Sequence, residues 1–166
     1  GHIAPQADRD LFLSDLSLML TEQDAHFELI GTGLAVYENF VFGARIGTVT
    51  NAPANVACGV TYRWIDDRNF DLVYVDTGGG FGMTQTRDGD LMRNVYDLDA
   101  MVDTEQQVNY LLIIAQDDRV TLYINGALVT QETVLPGSGR VGIGLLNYEA
   151  VRTDCFWTNI WVWPLE

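Results

Sequence analysis

The chain has 166 residues, 48% of them hydrophobic, with 16 glycines against 4 prolines. That is one domain's length, enough to bury about 70% of the unfolded surface, and the composition excludes disordered and collagen-like chains. Acidic residues number 23 against 9 basic ones, all arginine, for a net charge of −14; such a field repels nucleic acid, and no apolar run reaches the eighteen or so residues of a membrane-spanning helix.

From the N-terminus, Gly1-His2 reads as the remnant of a cleaved tag, so the start of the chain carries no information about a signal peptide. Residues 8–20 hold some apolar positions near helical spacing, and residues 97–107 have room for one short helical turn, but neither is well capped. Turn signals recur every eight to twelve residues, the rhythm of a sandwich or barrel. They delimit strands at 16–20, 26–30, 33–37, 40–48, 56–64, 70–76, 80–86, 91–96, 108–115, 120–124, 127–132, 140–147 and 151–163. The clearest segment runs from Val108 to Gln131, where a polar turn at Gln116 to Arg119 and the pair Asn125-Gly126 separate three strands. Asn-Gly supplies the two positive-φ positions of a two-residue type I′ hairpin. Alternation places Val60, Tyr62 and Trp64 opposite Thr61 and Arg63, and Phe70, Leu72 and Tyr74 opposite Asp71. It also places Val120, Leu122 and Ile124 opposite Thr121 and Tyr123, and the apolar sets are expected to face a common core.

Candidate chemistry is sparse. His26 is the only usable imidazole, and no serine or cysteine has a convincing partner for a nucleophilic triad. Cys58 and Cys155 each lie in a strand 97 positions apart, without a histidine nearby, which argues against zinc or a catalytic pair. The residues alone leave a bridge and two buried thiols both open. Asp66, Asp67 and Asn69, with Asp71, and Asp88 and Asp90 around Gly89, are weak calcium candidates; none forms an EF-hand loop, and turn formation explains such aspartates equally well. Arg63 is the best fork donor on a strand face, with Asp71 across the hairpin as its orienting partner.

The order of these signals resembles the concanavalin A-like lectin/glucanase superfamily, in particular its laminin G-like and keto-glycoside-hydrolase-like jelly rolls. The resemblance spans residues 38–163 and rests on Asn39 to Ile46, Cys58-Gly59-Val60-Thr61-Tyr62-Arg63, Arg68 to Val75, Leu122-Tyr123-Ile124-Asn125-Gly126, Gly139 to Gly144, and the closing Phe156-Trp157-Thr158-Asn159-Ile160-Trp161-Val162. It implies an all-β, two-sheet antiparallel β-sandwich over residues 1–166, with ligands held in a groove on one outer sheet face. It also implies an extracellular setting in which Cys58 and Cys155 are bridged. By likeness to the family's closing strand, a bulge turns Trp157, Ile160 and Val162 inward and Trp161 and Trp163 outward. The glucanases of the superfamily carry Glu-x-Asp-x-x-Glu on one strand; the nearest segment here, Asp97-Leu98-Asp99-Ala100-Met101-Val102-Asp103, departs in residue type and spacing.

The expectation is therefore a non-catalytic, secreted or surface-displayed recognition module of a larger bacterial protein. Carbohydrate is the favoured ligand, held by Arg63, Asp71, Tyr123, Trp161 and Trp163, with no cofactor beyond a possible structural calcium. A glycoside hydrolase with paired carboxylates, and a purely structural or protein-interaction module, are the alternatives.

Overall fold

The computed structural model describes residues 10–12, 15–30 and 35–166. Thirteen strands and no helix lie among the described residues, and every pairing is antiparallel. Seven strands form one sheet: β1 (Asp10–Phe12), β2 (Leu16–Leu20), β4 (Phe40–Thr50), β9 (Val108–Gln116), β10 (Arg119–Ile124), β11 (Ala127–Thr133) and β13 (Thr153–Pro164). Its order is β1-β13-β4-β9-β10-β11, with β2 also on β13. The second sheet has six strands in the order β3-β12-β5-β6-β7-β8: β3 (Asp24–Leu29), β5 (Val56–Asp66), β6 (Asn69–Asp76), β7 (Gly80–Arg87), β8 (Asp90–Leu98) and β12 (Arg140–Asn147).

The β9-β10-β11 meander follows from its turn chemistry. Asn125 and Gly126 take φ of 51° and 86°, the left-handed pair that matches the twist of a two-residue hairpin. Asn125 adds a second tie: its Oδ1 accepts the Tyr110 N–H, and its Nδ2 donates to Met101 O and Asn109 Oδ1. Asp88 and Gly89, with φ of 53° and 86°, make the same kind of turn between β7 and β8. The helical spacing over 8–20 is instead strand at Asp10–Phe12 and Leu16–Leu20, the rest of that segment lying partly outside the described residues. Of the strand expected at 33–37, residues 33 and 34 lie outside the described residues, and Tyr37 makes an isolated bridge to Gly139.

The two sheets meet through buried rows: Phe40, Phe42 and Ile46, Leu111 and Ile113, Leu122 and Ile124 from one side; Cys58, Val60 and Tyr62, Val73 and Val75, Phe81 and Met83, Ile143 and Leu145 from the other. Trp157 is fully buried and donates its Nε1–H to Gly59 O at 3.0 Å. Cys58 of β5 and Cys155 of β13 are joined in a disulfide, Cα to Cα 5.9 Å, that ties one sheet to the other and closes a loop of 97 positions. At the opposite sheet edges, Arg93 of β8 forms an ion pair with Glu132 of β11.

Two bulges decide which side chains face out. In β13 the register slips between Thr158 and Trp161, with Asn159 at φ 51°, so that Trp157, Ile160 and Val162 are buried while Trp161 and Trp163 turn to the other face. In β5 the register slips between Tyr62 and Asp66, with Arg63 at φ 49°. The extra residue breaks the expected alternation: Arg63 is 1% exposed instead of lying on the outer face, and Trp64 leaves the Val60-Tyr62 row for the opposite side. In β6 the expected facing is reversed. Val73 and Val75 point into the core with Asp71, and Phe70, Leu72 and Tyr74 point away from it. Both rows of β6 are apolar, so alternation alone does not say which one the core takes.

Candidate functional site

Arg63 and Asp71 form a buried clasp at one end of the sandwich. Arg63 donates to Asp117 O at 2.9 Å, in the β9–β10 turn of the opposite sheet, and to Leu135 O at 3.2 Å. Asp71 is fully buried; it accepts from Arg87 Nη1 at 2.6 Å and Gln85 Nε2 at 3.1 Å, with Arg63 Nη1 4.0 Å away. Burial pushes the Asp71 carboxyl above its ordinary range against the pull of the Arg87 and Gln85 bonds. Gln85 also accepts the Leu135 N–H, so the cluster anchors the segment entering β12. These are cross-sheet fastenings, and neither Arg63 nor Asp71 reaches a ligand on an outer face. The other three expected residues do share a surface. Trp161, Gly43, Leu112 and Tyr123 lie in one register row across β13, β4, β9 and β10, and Trp161 donates its Nε1–H to Tyr110 OH at 3.0 Å. Gly43 is what lets the indole lie against the sheet, since a Cβ there would fall on the ring. The five residues thus do not make one site.

Asp66 spends Oδ1 on the Arg68 N–H at 2.8 Å and the Asn69 amide at 2.9 Å, which shape the β5–β6 turn and, with the Asn69 bond foremost, hold its carboxyl below the usual range. Asp67 is exposed in the same turn. Among the described residues no group of three or more His, Cys, Asp or Glu side chains is arranged to hold a metal ion. Asp99 and Asp103, of the segment compared with the glucanase motif, accept backbone N–H groups of Met101, Glu105 and Gln106 in the loop after β8.

The outer face of the six-stranded sheet offers a richer arrangement. It is floored by glycines: Gly59, Gly82, Gly142 and Gly144 sit in the outward rows of β5, β7 and β12. At one end Phe27, Trp64 and Phe70 pack on one another, with ring centroids 5.3 to 6.2 Å apart, over Gly142 and Gly144. Trp64 is 7% exposed, so this half is filled. At the other end Tyr74 of β6 lies on Gly82, where any Cβ would overlap its ring, and the Tyr96 hydroxyl of β8 covers Gly80 in the same way. Between them stands Asp76, 5% exposed. Its Oδ1 accepts the Gly78 and Gly80 N–H groups at 2.9 and 2.8 Å, and its Oδ2 accepts the Tyr96 hydroxyl at 2.7 Å. Tyr148, just after β12, brings a third phenol beside Tyr74.

The hydroxyl bond to Asp76 pushes the Tyr96 phenol up to about 12, and burial followed by neighbouring negative groups raises Tyr74 and Tyr148. The phenols therefore stay neutral donors and acceptors through the physiological range. Tyr96 and Tyr148 are 50% and 41% exposed, so oriented rings face solvent beside a fixed carboxylate. Chemically this is a stacking platform with hydrogen-bonding groups at its rim. Beside it, at the end of the sandwich, Thr50, Thr77, Gln106 and Gln107 line part of an uncharged depression of about 420 Å³. Sequence reasoning missed Tyr74, Tyr96 and Tyr148; the signal was the run Thr77-Gly78-Gly79-Gly80-Phe81-Gly82, whose alternate glycines leave room for rings from both neighbouring strands.

No protein-family model matches the sequence, and no curated protein matches it. Solved structures do match the fold. The carbohydrate-binding module CBM66 from Bacillus subtilis superposes with a TM-score of 0.67 at 15% identity, covering 92% of this chain and 93% of that one. The Bacillus licheniformis beta-glucanase gives 0.66 at 12% identity, with 97% and 84% covered, and sheep galectin-11 gives 0.53 at 10%, with 82% and 98% covered. The fold is the two-sheet jelly roll that these proteins share, the architecture that the sequence resemblance implies. At these identities the likeness concerns the fold, which carries binding modules and hydrolases alike.

Proposed function

We propose that this chain is a non-catalytic carbohydrate-recognition module whose ligand lies on the outer face of the six-stranded sheet, against Tyr74, Tyr96 and Tyr148, with Asp76 accepting a sugar hydroxyl. The observation that carries the reading is the group of tyrosines around a buried carboxylate on a glycine floor, with Tyr96 pinned through its hydroxyl and Tyr96 and Tyr148 facing solvent. Pinning matters because a ring already held in place loses little side-chain entropy on binding. The carbohydrate-binding module and the galectin among the structural neighbours support the ligand class. A glycosidase needs two carboxylates within about 5–10 Å across the scissile bond, and Asp76 is the one carboxylate in the outward rows of β6, β7 and β12, which favours binding over cleavage. The inter-sheet disulfide supports a secreted or surface-displayed setting.

The test is affinity electrophoresis through gels containing a panel of polysaccharides, with a reducing-sugar assay run alongside. Tyr96→Ala is expected to weaken retention about 5- to 100-fold, by analogy with other stacking aromatics, while Trp161→Ala leaves it unchanged. Retention lost in Trp161→Ala and kept in Tyr96→Ala moves the site to the seven-stranded sheet, and released reducing ends end the non-catalytic reading.

A further inference from the structure

Resting on the reading above, we propose that this face selects uncharged glycans and rejects acidic ones, so that uronate-bearing, sulfated or sialylated polymers are discriminated against by charge. The formal charges at the open half of the face are negative: Asp76 stands among the tyrosines, and Glu149, next to Tyr148, accepts the Asn55 N–H. Among the described residues no arginine is placed to meet a ligand anion there. Among the described arginines, Arg63 and Arg87 are committed to the clasp around Asp71, and Arg93 and Arg152 pair with Glu132 and Asp154. Arg68 is held in the β5–β6 and β7–β8 turns through Asp88 O, while Arg45 and Arg119 belong to the other sheet. Arg140 is in the outward row of β12, but at the plugged end beside Trp64, donating to Ile65 O at 2.9 Å.

From Arg140 to the register position of Tyr74 is four residues along the strand and two strands across, roughly 16 Å, beyond the screening length of about 8 Å at physiological salt. A ligand carboxylate over the tyrosines would therefore meet Asp76 without a counter-charge, inside the field of a chain of net charge −14 with no lysine. A neutral sugar suffers no such repulsion, and its hydroxyls are the donors that a carboxylate and phenol oxygens accept. Selection here works by an unfavourable contact for the wrong ligand as much as by a favourable one for the right ligand.

The experiment compares one polymer with its own charged derivative. A neutral polysaccharide retained by the wild type is measured before and after oxidation of its primary alcohols to carboxylates, at low and at high salt. The expected result is binding at least about tenfold weaker for the oxidised polymer at low salt, with the gap narrowing as salt rises. Asp76→Asn should narrow it too. Because that change also touches the Gly78–Gly80 turn, Thr84→Arg gives an independent variant: Thr84 lies in the outward row of β7, and a cation there should recover the oxidised polymer. Equal or tighter wild-type binding of the oxidised polymer at low salt overturns the charge selection and leaves carbohydrate recognition standing. A penalty unchanged in both variants also overturns it. Failure of every neutral and oxidised polymer to bind overturns the carbohydrate reading itself, and this inference with it.

Discussion

Gly82→Ala tests the architecture of the tyrosine platform with one added carbon. An ideal Cβ at Gly82 overlaps Cζ, Cε1 and the hydroxyl of Tyr74, so the ring must tilt or leave. It cannot tilt freely: the Tyr148 phenol stands beside it, and its Cβ already sits 2.8 Å from the place a side chain on Gly59 would occupy. Forced overpacking of this kind costs about 1–3 kcal/mol, which for a chain of this length lowers the thermal midpoint by about 2–12 °C. If Tyr74 is instead expelled toward solvent, the stability loss is at the low end and the stacking surface is destroyed, weakening glycan binding by about 1–3 kcal/mol. Gly126→Ala is the control, because no atom lies within 4 Å of a Cβ there and only its φ of 86° matters. That change should cost about 1–2 kcal/mol and leave binding intact. Thermal unfolding followed by near-ultraviolet circular dichroism, beside affinity electrophoresis, reads both quantities. A Gly82→Ala protein with wild-type midpoint and wild-type retention would show that Tyr74 does not rest on Gly82 and would refute the tyrosine platform.

Thiol titration of unfolded, unreduced protein should find no reactive cysteine, and replacing Cys58 and Cys155 together by serine should lower stability by up to about 4–5 kcal/mol for a closed loop of this length; two reactive thiols per chain refute the bridge. The raised carboxyl of Asp71 means that, between the ordinary carboxylate range and its folded value, the native state holds more protons than the unfolded one, so acidification through that window adds stability. Asp71→Asn removes this contribution, and urea unfolding across mildly acidic pH should show the wild type gaining on the variant as pH falls; the opposite trend refutes the assignment. Ultraviolet titration should find one phenol, Tyr96, ionising near 12 and returning toward 10.0 in Asp76→Asn; an unchanged curve means that the hydroxyl bond is absent.

The strand pattern was largely legible because it rests on local chemistry. Asn125-Gly126 and Asp88-Gly89 can be read as turns from two residues each, and the limits of β2 and β12 coincide with the apolar runs Leu16–Leu20 and Arg140–Asn147. The bulge in β13 was legible only through the family likeness, since nothing in Thr158-Asn159 alone demands a positive φ. The bulge at Arg63 was not legible at all. Arginine seldom adopts φ near 49°, and here it is held there by contacts with Asp117 and Leu135, 54 and 72 residues away in sequence.

The same limit explains why the expected site dissolved. Assigning polar residues to the outer face works when that face meets only water. Here β6 turns aromatic and aliphatic side chains outward and a carboxylate inward, because Asp71 finds two guanidinium groups and an amide within the sandwich, while Tyr74 finds a glycine floor outside it. Inverted polarity of this kind carries the cost of burying a charge and of exposing rings. The buried clasp is repaid by fastening three segments at one end of the sandwich. The exposed rings have no comparable structural return: Tyr96 lies on an edge strand, half open to solvent, held by a single hydroxyl bond to Asp76. A ring in that position is open to contact from outside the chain, and under the proposed function the rings and acceptors it shares with Tyr74, Tyr148 and Asp76 suit a sugar.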